Sequence, residues 1–92
     1  ADAVKSAEPD SLRGDVLILN GDHPLLETAD ITGFRDAFKS SHAAVAVVTC
    51  ELAEPGSFGR IVRSRGRVQA IVEAKDAGPE TLKIREINTG IY

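Results

Sequence analysis

Residues 15–26 read DVLILNGDHPLL, an apolar run from Val16 to Leu19 that stops at Asn20-Gly21-Asp22, with Pro24 two residues beyond the acid. Two folds accommodate such a stop. Asn-Gly is a favoured tight turn of a β-hairpin and would leave Asp22 as a solvated turn acid. Alternatively, a strand buried on both faces ends here and delivers a carboxylate to the open end of a parallel sheet, where phosphates and metals bind.

The chain on either side favours the second. A hairpin needs its return strand at once, and His23-Pro24 starts one badly because proline cannot donate to a ladder. A helix follows more naturally. Thr28 or Asp30 caps it, and Ile31, Phe34 and Phe38 form one apolar stripe before the polar KSSH of residues 39–42 ends it. AAVAVVTCEL, residues 43–52, then repeats the β-branched, non-alternating character of the first run. Strand, helix, strand with short connections predicts a βαβ unit with parallel strands and a right-handed crossover. Asp22 then lies just past the carboxyl end of a parallel strand.

The remaining segments are shorter. Residues 2–6 suit a brief helix stopped before Pro9. From Glu54 the texture changes. EPGSFGR (54–60) reads as a loop, and RIVRSRGRVQAIVE (60–73) as two strands around Ser64-Arg65-Gly66, with Gly66 supplying a positive φ. KDAGPE (75–80) reads as another loop, and LKIREINTGIY (82–92) begins as an alternating strand. No internal repeat is visible, and a single domain truncated at both ends is the expectation.

Composition narrows the function classes. A chain of 92 residues with 42% hydrophobic residues and a formal charge of -3 is an ordinary globular composition. It lacks the basic footprint of a nucleic-acid binder. The cluster Arg60, Arg63, Arg65 and Arg67 is expected on the wet face of the hairpin. Cys50 is the single cysteine and is expected to be a buried, inert thiol, as in a reducing cytoplasm. His23 and His42 make no metal-ligand pattern with it. No stretch approaches the roughly 20 apolar residues of a membrane span, and no secretory leader opens the chain.

Four segments in order, LILNGDHPLL, FGRIVR, IVEAKDA and EINTGIY, resemble the uridyltransferase domain of the bacterial bifunctional N-acetylglucosamine-1-phosphate uridyltransferase/glucosamine-1-phosphate acetyltransferase family. The resemblance runs from Gly14 onward. IVEAKDA and EINTGI separate it from relatives that carry VEKP and NAGIY patterns. It implies an α/β, Rossmann-like nucleotidyltransferase fold with a mixed, mainly parallel sheet, of which residues 1–92 form the central part. It also implies a cytoplasmic enzyme of cell-wall precursor synthesis that joins UTP to N-acetylglucosamine 1-phosphate, giving UDP-N-acetylglucosamine and pyrophosphate. Carried over residue by residue, Asp22 holds Mg²⁺, Asn20 and Gly21 line the nucleotide site, and Gly59, Glu73 and Asn88 contact the sugar. The glycine-rich triphosphate loop and a second metal-binding asparagine fall outside these residues, as does the trimer-forming acetyltransferase β-helix. The parent is expected to be a homotrimer with no nucleic-acid or membrane partner.

The residue types suit that chemistry. Nucleotidyl transfer consists mostly of aligning two polyanions and offsetting their repulsion, and Mg²⁺ needs only one or two carboxylates besides water and phosphate oxygens. Glu73 offers two acceptor oxygens for neighbouring hydroxyls, and Asn88 both a donor and an acceptor. Gly59, without a Cβ, lets a ligand approach the backbone closely. Against these stand plainer roles: a loop acid for Asp22, a turn glycine for Gly59, a partner of Lys75 for Glu73, and a self-satisfied amide or an edge bulge ahead of Gly90 for Asn88. The competing functions are another sugar-phosphate nucleotidyltransferase and a non-catalytic sugar-nucleotide-binding domain.

Overall fold

The structure, a computed structural model, describes residues 5–6, 8–21 and 26–92. Asp22, His23 and the start of the expected first helix lie outside the described residues. Residues 5–6 are helical, and a 3₁₀ turn follows at Pro9–Ser11.

Helix α1, Thr28–Ser41, forms where the apolar stripe predicts it. Glu27 occupies the N-cap, and the Asp30 carboxylate accepts its backbone N–H at 3.0 Å, so Asp30 caps from three residues inside the helix. The helix ends at His42 in the left-handed region, φ 55°. Ile31, Phe34 and Phe38 all line an apolar cleft of about 640 Å³ shared with Val16, Leu17, Ile18 and Val45.

Among the described residues four strands build one sheet: β1 (Thr49–Glu51), β2 (Arg60–Ser64), β3 (Arg67–Val72) and β4 (Glu86–Asn88), in the order β1-β4-β2-β3. The β2–β3 hairpin is as predicted, with Arg65 and Gly66 at φ 54° and 77° making a two-residue turn of the kind whose twist matches its strands. KDAGPE is more ordered than expected. A 3₁₀ turn covers Ala74–Asp76, and Pro79 opens a short helix α2, Pro79–Leu82, at the position where its missing N–H costs nothing.

Among the described residues all three strand pairings are antiparallel, which corrects the mainly parallel sheet. The hydrogen bonds show why. Residues 15–20 form no regular strand, but Ile18 and Tyr92 exchange both backbone bonds, at 2.9 and 3.1 Å. Such an exchange is an antiparallel rung. On its other side the same 86–92 segment is antiparallel to β1. Residues 16–19 and β1 therefore run in the same direction, as the βαβ pattern requires, but are not neighbours: an antiparallel segment from the far end of the chain lies between them.

Burial brings further corrections. The run expected to be buried on both faces is open, with Val16, Leu17 and Leu19 at 49, 43 and 42% exposed. Among the described residues this run has one rung and the half-open cleft to cover it. The second run condenses to the three residues of β1, an edge strand, and Cys50 is exposed there rather than buried. Arg60 is not on the wet face of the hairpin; it is 4% exposed, beside the core of Ile61, Ile87 and Ile91. Phe58 is exposed. No described helix is long and apolar enough to cross a membrane.

One polar cluster ties three strands. Arg63 on β2 donates to both carboxylate oxygens of Glu86 on β4, each at 2.7 Å, and Thr49 on β1 donates to Glu86 Oε1 at 2.7 Å. The Arg63 hydrogen bond, then that of Thr49, outweighs partial burial and holds the Glu86 carboxyl down at about 2. A carboxyl depressed in the folded state stabilises fully above its ordinary value near 4.5, and that contribution fades as pH falls toward 2. We expect Glu86→Gln to lower the thermal midpoint at pH 7 and to flatten its dependence on pH between 4.5 and 2. A variant whose midpoint tracks the wild type across that window would show the cluster contributes nothing.

Candidate functional site

Arg60 sits in register with Val72 on β3 and Ile87 on β4. One step further along lie Glu73, Gly59 and Asn88, so the chain's reversals carry all three residues to one end of the sheet. The Asn88 N–H donates to the Gly59 carbonyl at 2.9 Å, closing one side of this trio. On the other side, a Cβ placed on Gly59 would lie 3.4 Å from both Glu73 carboxylate oxygens. Because strand side chains alternate, Gly59, Glu73 and Asn88 share one face while Arg60, Val72 and Ile87 take the other.

Asn20 joins this group from a different direction. Residues 15–20 approach the 86–92 segment on the flank where β2 also lies, and run the same way as β2. They stop at Asn20-Gly21, whereas β2 begins at Arg60. Among the described residues a break in the sheet therefore lies between Asn20 and Gly59, alongside Asn88 to Gly90. Across it the Asn20 side chain rests on Gly90, so closely that a methyl on Gly90 would overlap its amide nitrogen. Gly90 is also at φ 83°, which disfavours any larger residue. The local irregularity is visible from the opposite flank. Val48 accepts the Thr89 N–H at 3.2 Å and donates to the Ile91 carbonyl at 2.9 Å, so one residue there spans three here.

Four of the predicted positions thus converge: Asn20, Gly59, Glu73 and Asn88. Gly21 is exposed, with nothing close to its Cβ position, and Asp22 follows outside the described residues. Glu73 is exposed and makes no ion pair with Lys75, so that plainer role does not apply. Asn88 does fill its plainer role in part. Its Oδ1 accepts the Gly90 N–H at 2.9 Å and its Nδ2 donates to the Tyr92 hydroxyl at 2.7 Å. One amide N–H and one lone pair are left over for a ligand. The arrangement presents an acceptor-only carboxylate and a donor–acceptor amide on either side of a residue with no side chain, which suits a polyhydroxylated ligand.

Gly90, Tyr92 and Arg60 escaped the sequence reading as parts of this site. The Asn-Thr-Gly spacing carries a signal for the first, since asparagine readily bonds the backbone two residues on. The apolar cleft against α1 is not lined by Asn20, Gly59, Glu73 or Asn88. Among the described residues no three His, Cys, Asp or Glu side chains gather to hold a metal.

The architecture, then, is α/β, with a polar cluster at a break in the sheet. No protein-family model matches the chain. It is similar along its length to proteins described as bifunctional protein GlmU. The Bdellovibrio bacteriovorus protein is 58% identical over all 92 residues, which make up 20% of that protein. The Trichlorobacter lovleyi protein is 52% identical over 84 residues, 90% of this chain and 18% of the relative. The Corynebacterium diphtheriae protein is 44% identical over 86 residues, 92% of this chain and again 18% of the relative. The chain spans about a fifth of the length of the curated relatives it matches. Similarity of this extent supports membership of the GlmU family.

The contact across the break is testable. Gly90→Ala introduces strain at a positive φ, costing about 1 kcal/mol or more, and pushes the Asn20 amide aside. We expect Asn20→Ala to relieve the second effect only, so that the double variant is less destabilised than the two single effects summed. Strict additivity would mean that Asn20 and Gly90 are not in contact.

Proposed function

We propose that this chain is the central part of a uridyltransferase that joins UTP to N-acetylglucosamine 1-phosphate and releases pyrophosphate. The convergence of Asn20, Gly59, Glu73 and Asn88 at one break in the sheet carries this reading. They come from four separate stretches of a chain that matches GlmU proteins over its whole length. Convergence of this kind has no counterpart in the plainer roles, which treat each residue separately.

In this reading the sugar ring lies over Gly59, between the Glu73 carboxylate and the Asn88 amide. Glu73 accepts from adjacent hydroxyls. Asn88 keeps its remaining N–H and lone pair for a hydroxyl or the N-acetyl group, and its orientation is fixed by Tyr92 and the Gly90 N–H. Asn20 and Gly21 line the nucleotide end. Holding the sugar phosphate with one oxygen directed at the α-phosphorus of UTP supplies alignment, the largest share of what such a transfer needs from protein. Mg²⁺ needs no more than a single carboxylate beside water and phosphate oxygens, and in this reading Asp22 would hold it. When bound, the ion offsets the charge that accumulates on the phosphates. The trimeric parent and a cytoplasmic setting belong to the same proposal.

The test is pyrophosphate release by the full-length protein carrying this chain, with Mg²⁺ and UTP, comparing N-acetylglucosamine 1-phosphate with glucose 1-phosphate. Turnover is expected with the N-acetylated sugar and loss of it in Asp22→Ala. Binding of the sugar nucleotide without pyrophosphate release would instead support a non-catalytic binding domain. Gly59→Ala separates site from scaffold. Its methyl would make ordinary contacts at 3.4 Å with Glu73 and Ile71, so folding survives, but it occupies the space assigned to the sugar. We expect a thermal midpoint near that of the wild type and a KM for the sugar phosphate raised about tenfold or more. An unchanged KM would put the sugar elsewhere.

A further inference from the structure

Arg60 is buried, and among the described residues it has no carboxylate partner. Its guanidinium is spent on backbone carbonyls instead. Nη1 donates to Gly56 at 3.0 Å and also to Phe58, and Nη2 reaches Leu82 at the end of α2 at 3.5 Å, the long limit of such a bond. Nε is buried with no partner. A cation taken from water without a counter-ion is costly and persists only where fixed dipoles satisfy it. The residues so bound are the loop that leads into Gly59. Arg60 itself points to the face opposite Gly59, so it cannot touch a ligand lying over that glycine.

We propose that Arg60 is a positioning residue for the sugar end of the site. From beneath the sheet it clamps residues 56–58, and thereby fixes the height of Gly59 between Glu73 and Asn88. The identity of the sugar rests on the function proposed above; the clamp does not. Arginine suits this task and lysine does not. The planar fork spans carbonyls several ångströms apart, whereas an ammonium group is a single point of charge. Release of the loop would let Gly59 shift relative to its flanking side chains, weakening sugar binding and leaving the nucleotide end, across the break, as it was.

The experiment compares wild type with Arg60→Lys in the full-length protein carrying this chain. The KM for N-acetylglucosamine 1-phosphate is expected to rise about tenfold, with kcat and the KM for UTP within about twofold. A folded variant with unchanged kinetics would overturn the proposal. So would a uniform loss in both KM values and kcat, which marks a merely structural role. Hydrogen exchange on the wild type covers the case in which the variant does not fold. The Phe58 N–H, bonded to the Pro55 carbonyl at 3.1 Å, and the neighbouring loop amides should exchange slowly. Exchange at free-peptide rates would mean that nothing clamps the loop, and the proposal would fail. Absence of turnover in the wild type would sink the proposed reaction, while slow loop exchange would still support the clamp.

Discussion

The backbone of residues 86–92 serves two flanks at once, and the rest of the structure depends on that. One flank receives β1 and Val48; the other receives Gly59 and Arg60 and, further along, Ile18. The backbone groups of Asn88, Thr89, Ile91 and Tyr92 that bond Gly59, Val48 and Ile18 fix where those flanking segments lie, with no long ladder between them. Among the described residues the flanking chain is interrupted between Asn20 and Gly59, beside Asn88 and Gly90. Polar side chains collect there. An opening of this kind costs the sheet little, since Asn88 satisfies itself through Gly90 and Tyr92.

Apolar and polar burial are distributed unusually in consequence. The large aliphatic side chains that are buried among the described residues are Ile61, Ile87 and Ile91, all close to the site, and a charged side chain, Arg60, is buried with them. The apolar face of α1 and the run at Val16–Leu19 are far more open. Rigidity is thus concentrated where Gly59, Glu73 and Asn88 meet. A binding constellation gains from being held by a packed rung and bonded carbonyls, because less ordering remains to be done when the ligand arrives.

Local signals were legible in the sequence and long-range ones were not. The Ile31, Phe34, Phe38 stripe located α1 because helical period is a property of the segment itself. Arg65-Gly66 located the hairpin turn for the same reason. The apolar runs at 16–19 and 43–52 recorded only that something should cover them. They carried no mark of which segment would lie between, so their common direction was readable and their separation by residues 86–92 was not. Arg60 was misread for a related reason. Residue type places arginine in water, and only the three carbonyls of a folded loop and helix end take it inside. Gly59, Glu73 and Asn88 were chosen by motif, and their adjacency follows from an antiparallel register that periodicity could not supply.

Under the proposed function, the trio also accounts for selectivity with few groups. In that reading Glu73, which only accepts, favours ligands that present hydroxyl donors, and an analogue that lacks them leaves the carboxylate without that partner. Asn88 has already committed one donor and one acceptor internally, which removes its freedom to rotate and compensate for a poor fit. Discrimination by unpaired polar groups is much steeper than discrimination by apolar shape, and it requires that those groups stay in place when the wrong ligand binds. The Asn88 N–H bond to Gly59 and the carbonyl bonds from Arg60 hold the trio from two sides. In a site of this design, specificity resides as much in the atoms that cannot move as in those that touch the ligand.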